Sequence, residues 1–221
     1  MSEGDEEGLV PRFARPALRA GDVTGWFEPV YAGAGDDARA VPWADLEPNR
    51  LLVEWLERDG RHGDVARAIV VGCGLGDDLE VLRQRGFDVA GFDVAPSAIE
   101  WARRRFPDQA DRFFAANLLG LPRALVGSFA LVFEAYTVQA LPESVRDAAI
   151  DGVASLVAPG GTLLVVCSAR DEDEHPGNLP WPLTRAQLAR FEHAGLREVR
   201  FDDVARGAGR DRQFRVEYVR D

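Results

Sequence analysis

Three glycines separated by single residues, Gly72-Cys73-Gly74-Leu75-Gly76, follow the apolar run Ala68-Ile69-Val70-Val71 and give way to Asp77 and Asp78. Residues that lack a Cβ let backbone N–H groups come close to a ligand, here at the positive end of the helix predicted to follow. Such a loop suits a small, partly anionic molecule. Its plain structural alternative is a tight strand-to-helix turn that binds nothing.

The glycine spacing narrows the ligand. A dinucleotide cradle places its third glycine three residues after the second, but this chain has Asp77 there and its third glycine early, at Gly76. An acid in that place would repel a pyrophosphate. S-adenosylmethionine suits the loop better, because backbone amides can hold its carboxylate while nearby acids tolerate its positive groups. Asp93, about twenty residues downstream with Val94 beside it, can accept hydrogen bonds from both ribose hydroxyls of a nucleoside. The same acid equally suits a capping role for the helix at Pro96. Asn117 can offer its amide to an adenine edge and Leu118 an apolar face to the ring, or Asn117 can simply shape a turn. Glu134 can accept an amino group or satisfy backbone donors, and Tyr136 can orient a substrate or pack.

The elements that must position these residues alternate between strand and helix. Strands are predicted at 68–71, 88–93, 112–115, 129–133 and 162–167, followed by two more at 196–204 and 213–218. Helices are predicted after the glycine loop as far as Gly86, from Pro96 to Pro107, after Pro142, and from Thr184 to Ala194. The pattern implies an α/β fold of the Rossmann-like, doubly wound type: a seven-stranded, mostly parallel sheet ending in an antiparallel hairpin around Arg206-Gly207-Ala208-Gly209-Arg210. Residues 1 to about 20 show no apolar periodicity and are expected to be mobile or draped over the core. The stretch from Trp26 to Trp43 reads as a lid, and Leu51, Leu52, Trp55 and Leu56 lie at helical spacing. Residues 1–60 thus form an N-terminal extension and lid, and residues 61–221 a binding domain.

Composition removes several function classes. The net charge of −11 opposes the basic field that nucleic acids and anionic membranes require, so neither is expected as a partner. No apolar run reaches the length of a membrane span, and the acidic start is unlike a secretory leader, which predicts a cytoplasmic protein. Cys73 and Cys167 are expected to be reduced and structural, with nothing basic beside Cys73 to make it a nucleophile. Asp171-Glu172-Asp173-Glu174-His175 reads as a solvated loop bordering the substrate pocket rather than a metal site, so no metal is predicted. His62 and His193 read as surface residues.

From Ala68 to Asp221 the chain resembles class I S-adenosylmethionine-dependent methyltransferases. Val70-Val71-Gly72-Cys73-Gly74-Leu75-Gly76 is similar to their cofactor loop, Asp93 to their ribose acid, Asn117 to their adenine contact, and Leu156-Val157-Ala158-Pro159-Gly160-Gly161-Thr162 to the turn before their fifth strand. Many members carry an acid where this chain has Val70 and Asp where it has Asn117. The segment Thr24-Gly25-Trp26-Phe27, with Val41-Pro42-Trp43-Ala44-Asp45, resembles the lid of thiopurine and thiol or halide methyltransferases, although Ala44 stands after the Pro-Trp pair. The resemblance implies that Trp26 and Trp43 cover the cofactor, S-adenosylmethionine, with S-adenosylhomocysteine as product. It implies methyl transfer to sulfur or nitrogen of a small molecule, with Tyr31 and Tyr136 as candidates for positioning the acceptor. A nicotinamide-dependent oxidoreductase and a non-catalytic nucleoside-binding module are the rival readings.

Overall fold

A computed structural model describes residues 9–35, 37–58, 60–206 and 211–221. Its centre is a seven-stranded sheet in the order β3-β2-β1-β4-β5-β7-β6. The strands are β1 (Arg67–Val71), β2 (Asp88–Asp93), β3 (Phe113–Ala115), β4 (Phe129–Ala135), β5 (Val157–Ser168), β6 (Arg197–Arg206) and β7 (Asp211–Val219). The first five run parallel, whereas β7 lies antiparallel to both β5 and β6. The turn of that terminal hairpin, at 207–210, lies outside the described residues, as do residues 1–8.

Side-chain alternation along β1 explains the two layers of helices. Ile69 and Val71 face one core, shared with α6 (Glu143–Leu156) and the short helices α7 (Arg185–Leu188) and α8 (Arg190–His193). Ala68 and Val70 face the other, shared with α3 (Arg50–Arg58), α4 (Asp77–Gln84) and α5 (Pro96–Arg105). Each helix contributes the apolar stripe its spacing predicts, such as Leu79 and Leu82 in α4 and Ile99 and Ala102 in α5.

Three elements differ from expectation. Residues expected to lack structure form α1 (Leu9–Arg19), because Val10, Phe13, Ala14, Ala17 and Leu18 recur at helical spacing and pack against Trp26 and Val30 of the next segment. The Thr184–Ala194 region splits into α7 and α8, with a capping box between Thr184 and Gln187 at its start. Strand β5 begins at Val157, ahead of the expected Thr162; its register against β4 slips between Phe129 and Leu131, where Gly160 takes a φ of 72°. Among the described residues no helix is long and apolar enough to cross a membrane.

The terminal hairpin also anchors α3. Arg215 of β7 donates to the Leu51 carbonyl at 3.1 Å and to Asp202, while Glu217 accepts from Trp55 Nε1 at 2.8 Å and Arg61 at 3.0 Å. These charged side chains are buried yet fully engaged, which is what makes their burial tolerable.

Candidate active site

The carboxyl end of β1 lies beside those of β2 and β4, at the point where strand order reverses. Open parallel sheets bind ligands there. The loop that leaves β1 turns through left-handed φ values of 61° at Gly72, 48° at Gly74 and 94° at Gly76. A Cβ on Gly72 would sit 2.2 Å from Thr137 Oγ1, and one on Gly74 would sit 3.2 Å from the Tyr31 hydroxyl. At Gly72 and Gly74 the loop therefore presents bare backbone, with Thr137 and Tyr31 crowding the space a side chain would take.

Asp93, at the end of β2, fixes this cradle. Its carboxylate accepts from Gly74 N at 3.1 Å and from Ala95 N at 2.9 Å. Burial pushes its pKa up to about 6, against the lowering effect of the backbone N–H groups that it accepts from. The side chain shapes the start of α5 as its capping role predicts, and it also lines the cavity. Asp77 is not free to repel a ligand: Arg105 grips it through two nitrogens at 2.6 and 2.7 Å and also donates to the Leu75 carbonyl at 2.7 Å. Asp78 accepts from Asn49 N at 2.6 Å, which ties the lid segment to the cradle, and burial raises its pKa to about 7.

The cradle opens into a cavity of about 500 Å³, within the range of about 300–1,000 Å³ usual for small-molecule sites. Val94, Asn117 and Leu118 line it on the side of β2 and β3. Asn117 Oδ1 accepts from Leu119 N at 2.9 Å and so shapes a turn, while its amide nitrogen lies 3.4 Å from Thr24 Oγ1. Opposite stand the aromatic residues of the lid. Trp26 stacks on Phe27 with ring centroids 3.8 Å apart, and Trp43 meets both edge-on. Tyr31 is buried in α2 (Phe27–Ala34) and accepts from Trp43 Nε1 at 2.8 Å; desolvation holds its hydroxyl well above the usual phenol range. Burial likewise pushes the Cys73 thiol up, so it is held as the thiol.

Two predicted contacts lie off the cavity wall. Gly76 faces the other way, and a Cβ there would meet the Phe113 ring at 2.8 Å. Glu134 is fully buried beneath the loop after β4, where one carboxylate oxygen accepts from Thr137 N at 2.8 Å and Val138 N at 2.9 Å. It therefore takes the backbone-satisfying role of its two predicted roles, with its second oxygen unpartnered and its pKa raised to about 7 by burial. Ala135, Tyr136, Thr137, Ala140 and Leu141 of this stretch do reach the cavity, Tyr136 held at a φ of 62° with its hydroxyl bonded to the Gln213 side-chain amide.

Several wall residues have no motif to announce them. Val10 arrives through the unexpected α1, and Leu179 and Pro180 come from the end of the acidic loop, as predicted for a pocket border. Asp78 and Asn49 meet only in the fold. Three acids of that loop are themselves engaged: Asp171 pairs with Arg212 at 2.9 Å, Glu172 accepts from Ala186 N at 2.9 Å, and Glu174 accepts from Asp171 N at 2.8 Å. His62 and His193 are exposed.

The family model for thiopurine S-methyltransferase matches residues 37–221. The chain belongs to the thiopurine S-methyltransferase family. It is 25% identical over 172 residues to a 2-heptyl-1-hydroxyquinolin-4(1H)-one methyltransferase of Mycobacteroides abscessus, across 73% of this chain and 72% of that protein. A probable thiol methyltransferase 2 of Arabidopsis thaliana is also 25% identical, across 62% of this chain and 60% of the relative. Among solved structures, the N-methyltransferase NodS of Bradyrhizobium japonicum, in complex with S-adenosyl-L-homocysteine, superposes with a TM-score of 0.68 at 20% identity, over 88% of this chain and 97% of that one. As a member of this family the chain is an S-adenosylmethionine-dependent methyltransferase. The cavity lining suits that cofactor chemically: bare backbone at Gly72 and Gly74, the Asp93 carboxyl at the end of β2, and aromatic rings sharing the wall with acids.

Proposed function

We propose that the protein methylates a small molecule at sulfur or nitrogen. The observation that carries this reading is the continuity of one cavity, from the glycine cradle to the aromatic lid. S-adenosylmethionine, when bound, supplies an activated methyl group, so the protein's task is chiefly positioning and exclusion of water.

The residues divide that task. Gly72 and Gly74 let the backbone come close to the cofactor, Asp93 receives the ribose hydroxyls while it holds the Gly74 amide, and Val94, Asn117 and Leu118 border the base. Gly76 and Glu134 act from behind, one by letting the loop pack on Phe113 and the other by fixing the Thr137 and Val138 amides. Trp26 and Trp43 close the cavity over the cofactor as part of a lid unit, residues 1–60, set on a binding domain, residues 61–221. Tyr31 and Tyr136 position the acceptor. The named acceptors of the relatives, a hydroxyquinolone and a thiol, support a compact organic acceptor for this chain.

Calorimetric titration with S-adenosylmethionine tests the first half of the reading, and no binding at millimolar ligand would overturn it. Isotopically labelled methyl donor, offered with a panel of thiols and amines and read by mass spectrometry, tests the second. Label transfer to oxygen or carbon alone would refute the assignment to sulfur or nitrogen.

A further inference from the structure

Alternation along β7 puts Gln213, Arg215 and Glu217 on one face of the sheet, the face that α3 covers. All three are buried, and two of them are accounted for by the bonds that hold α3. Gln213 serves a different partner: its side-chain nitrogen Nε2 donates to the Tyr136 hydroxyl. Its other polar atom, Oε1, is buried with no hydrogen-bond partner among the described residues. An apolar side chain of the same length would fill this space without leaving an oxygen unsatisfied, so the bond to Tyr136 is what the glutamine supplies.

Tyr136 is itself held in a costly place. Its φ of 62° is left-handed, which a bulky side chain adopts only under constraint. The constraint is visible: its N–H donates to the Val166 carbonyl at 3.0 Å, and the Glu134 carboxylate holds the next two amides. This backbone carries Tyr136 to the cavity wall, of which Gln213 is not a part. Gln213 therefore meets the phenol from behind. Because an amide nitrogen can only donate, the phenol oxygen accepts in this bond, and the hydroxyl keeps its own proton for a partner on another bearing.

We propose that Gln213 is a positioning residue for methyl transfer: it holds Tyr136 so that the hydroxyl donates a hydrogen bond to a lone pair of the methyl acceptor. This rests on the reading of the cavity as the acceptor site. Such a bond is present before the methyl moves and persists while it moves, so its loss raises KM for the acceptor and leaves kcat nearly unchanged.

The test uses the full chain and Gln213→Met, which keeps the length of the side chain and removes the donor, with Gln213→Leu as a second variant. Raman spectra report the Fermi doublet of the tyrosine ring, whose intensity ratio distinguishes a phenol oxygen that accepts from a hydroxyl that donates. The chain has 3 tyrosines, so subtracting the spectrum of Tyr136→Phe isolates the one in question. Its ratio is expected to move towards the donating side in both Gln213 variants. An unmoved ratio overturns the inference, as does a move the other way, which an amide turned end for end would give. Methyl transfer from S-adenosylmethionine is followed in parallel with a panel of thiols and amines that includes pyridine-2-thiol, benzenethiol and 4-aminopyridine. For the compound that is methylated, KM should rise about fivefold in Gln213→Met, as the loss of one neutral hydrogen bond would produce, with kcat within about twofold. Affinity for S-adenosylhomocysteine, read by calorimetry, should stay the same; a matching loss there would mark general damage and overturn the inference. In a Tyr136→Phe background the Gln213 substitution should add nothing, because its effect runs through the hydroxyl, and additive losses would overturn the positioning role. An unchanged KM beside a shifted Raman ratio would do so while leaving the methyltransferase reading intact. Transfer to no member of the panel by the wild-type chain would remove the inference together with the sulfur or nitrogen acceptor.

Discussion

Glu134 offers a quantitative test of how the loop beneath the cavity is built. Its carboxyl is fully buried and is pushed by that burial from an ordinary 4.5 to about 7. Below pH 4.5 the group is protonated in both folded and unfolded chains and contributes no pH dependence. As pH rises from there towards 7, the unfolded chain releases the proton while the folded chain keeps it, so stability falls. Above about pH 7 both states are ionised and the full penalty is present, about 3 kcal/mol at about 1.4 kcal/mol per pH unit. Glu134→Gln keeps the oxygen that accepts from Thr137 N and Val138 N and removes the charge. The new amide nitrogen takes the place of an oxygen that has no partner, so its own cost does not vary with pH. The stability of the variant relative to wild type should therefore increase by about 2–3 kcal/mol between pH 5 and pH 8. Urea denaturation at several pH values measures this, and thermal midpoints should diverge by about 2–4 °C per kcal/mol. A difference that stays constant across that range would refute the argument, because it would mean that the wild-type carboxylate titrates no differently in the folded chain.

Three further outcomes follow from the cradle. Gly72→Ala places a methyl 2.2 Å from Thr137 Oγ1 at a left-handed φ, so donor affinity should fall at least about tenfold; recovery of part of it in the double variant with Thr137→Ala separates the clash from the backbone strain. Asp93→Ala leaves the Gly74 and Ala95 amides unpaired, at about 1–3 kcal/mol each, and calorimetry should show donor binding weakened more than about tenfold; unchanged affinity would remove Asp93 from the site. Arg105→Ala should destabilise the fold by about 1–3 kcal/mol, and a double-mutant cycle with Asp77→Ala should return a coupling above about 0.5 kcal/mol, whereas additivity would show that the pair seen at 2.6 Å does not brace the loop.

Local chemistry made much of this fold legible. Glycine spacing, the apolar run before it and the acid after the second strand each report on a neighbour a few residues away, and β2 and α5 begin where Asp88 and Pro96 predict. Long-range partners were not legible. Glu134 looked like a ligand contact because it ends a central strand, but whether such a side chain turns into the cavity or under the next loop depends on Thr137 and Val138 being folded above it. Asp77 looked like a free charge because Arg105 lies 28 residues away. The helix α1 was hidden differently: its stripe of Val10, Phe13, Ala14, Ala17 and Leu18 is present in the sequence, but interspersed prolines and arginines mask it until Trp26 and Val30 supply a surface.

The bonds from β7 to α3 bear on the order in which the protein is completed during synthesis. Strand β7 is the last part of the sheet to be made, and it inserts between β5 and β6. Only then do Leu51 and Trp55 find Arg215 and Glu217, 164 and 162 residues further along the chain. Before β7 is in place, α3 can pack on the core it shares with β1, α4 and α5 but lacks these hydrogen bonds. The position of the helix behind the lid segment is thus set in part by the strand that completes the sheet.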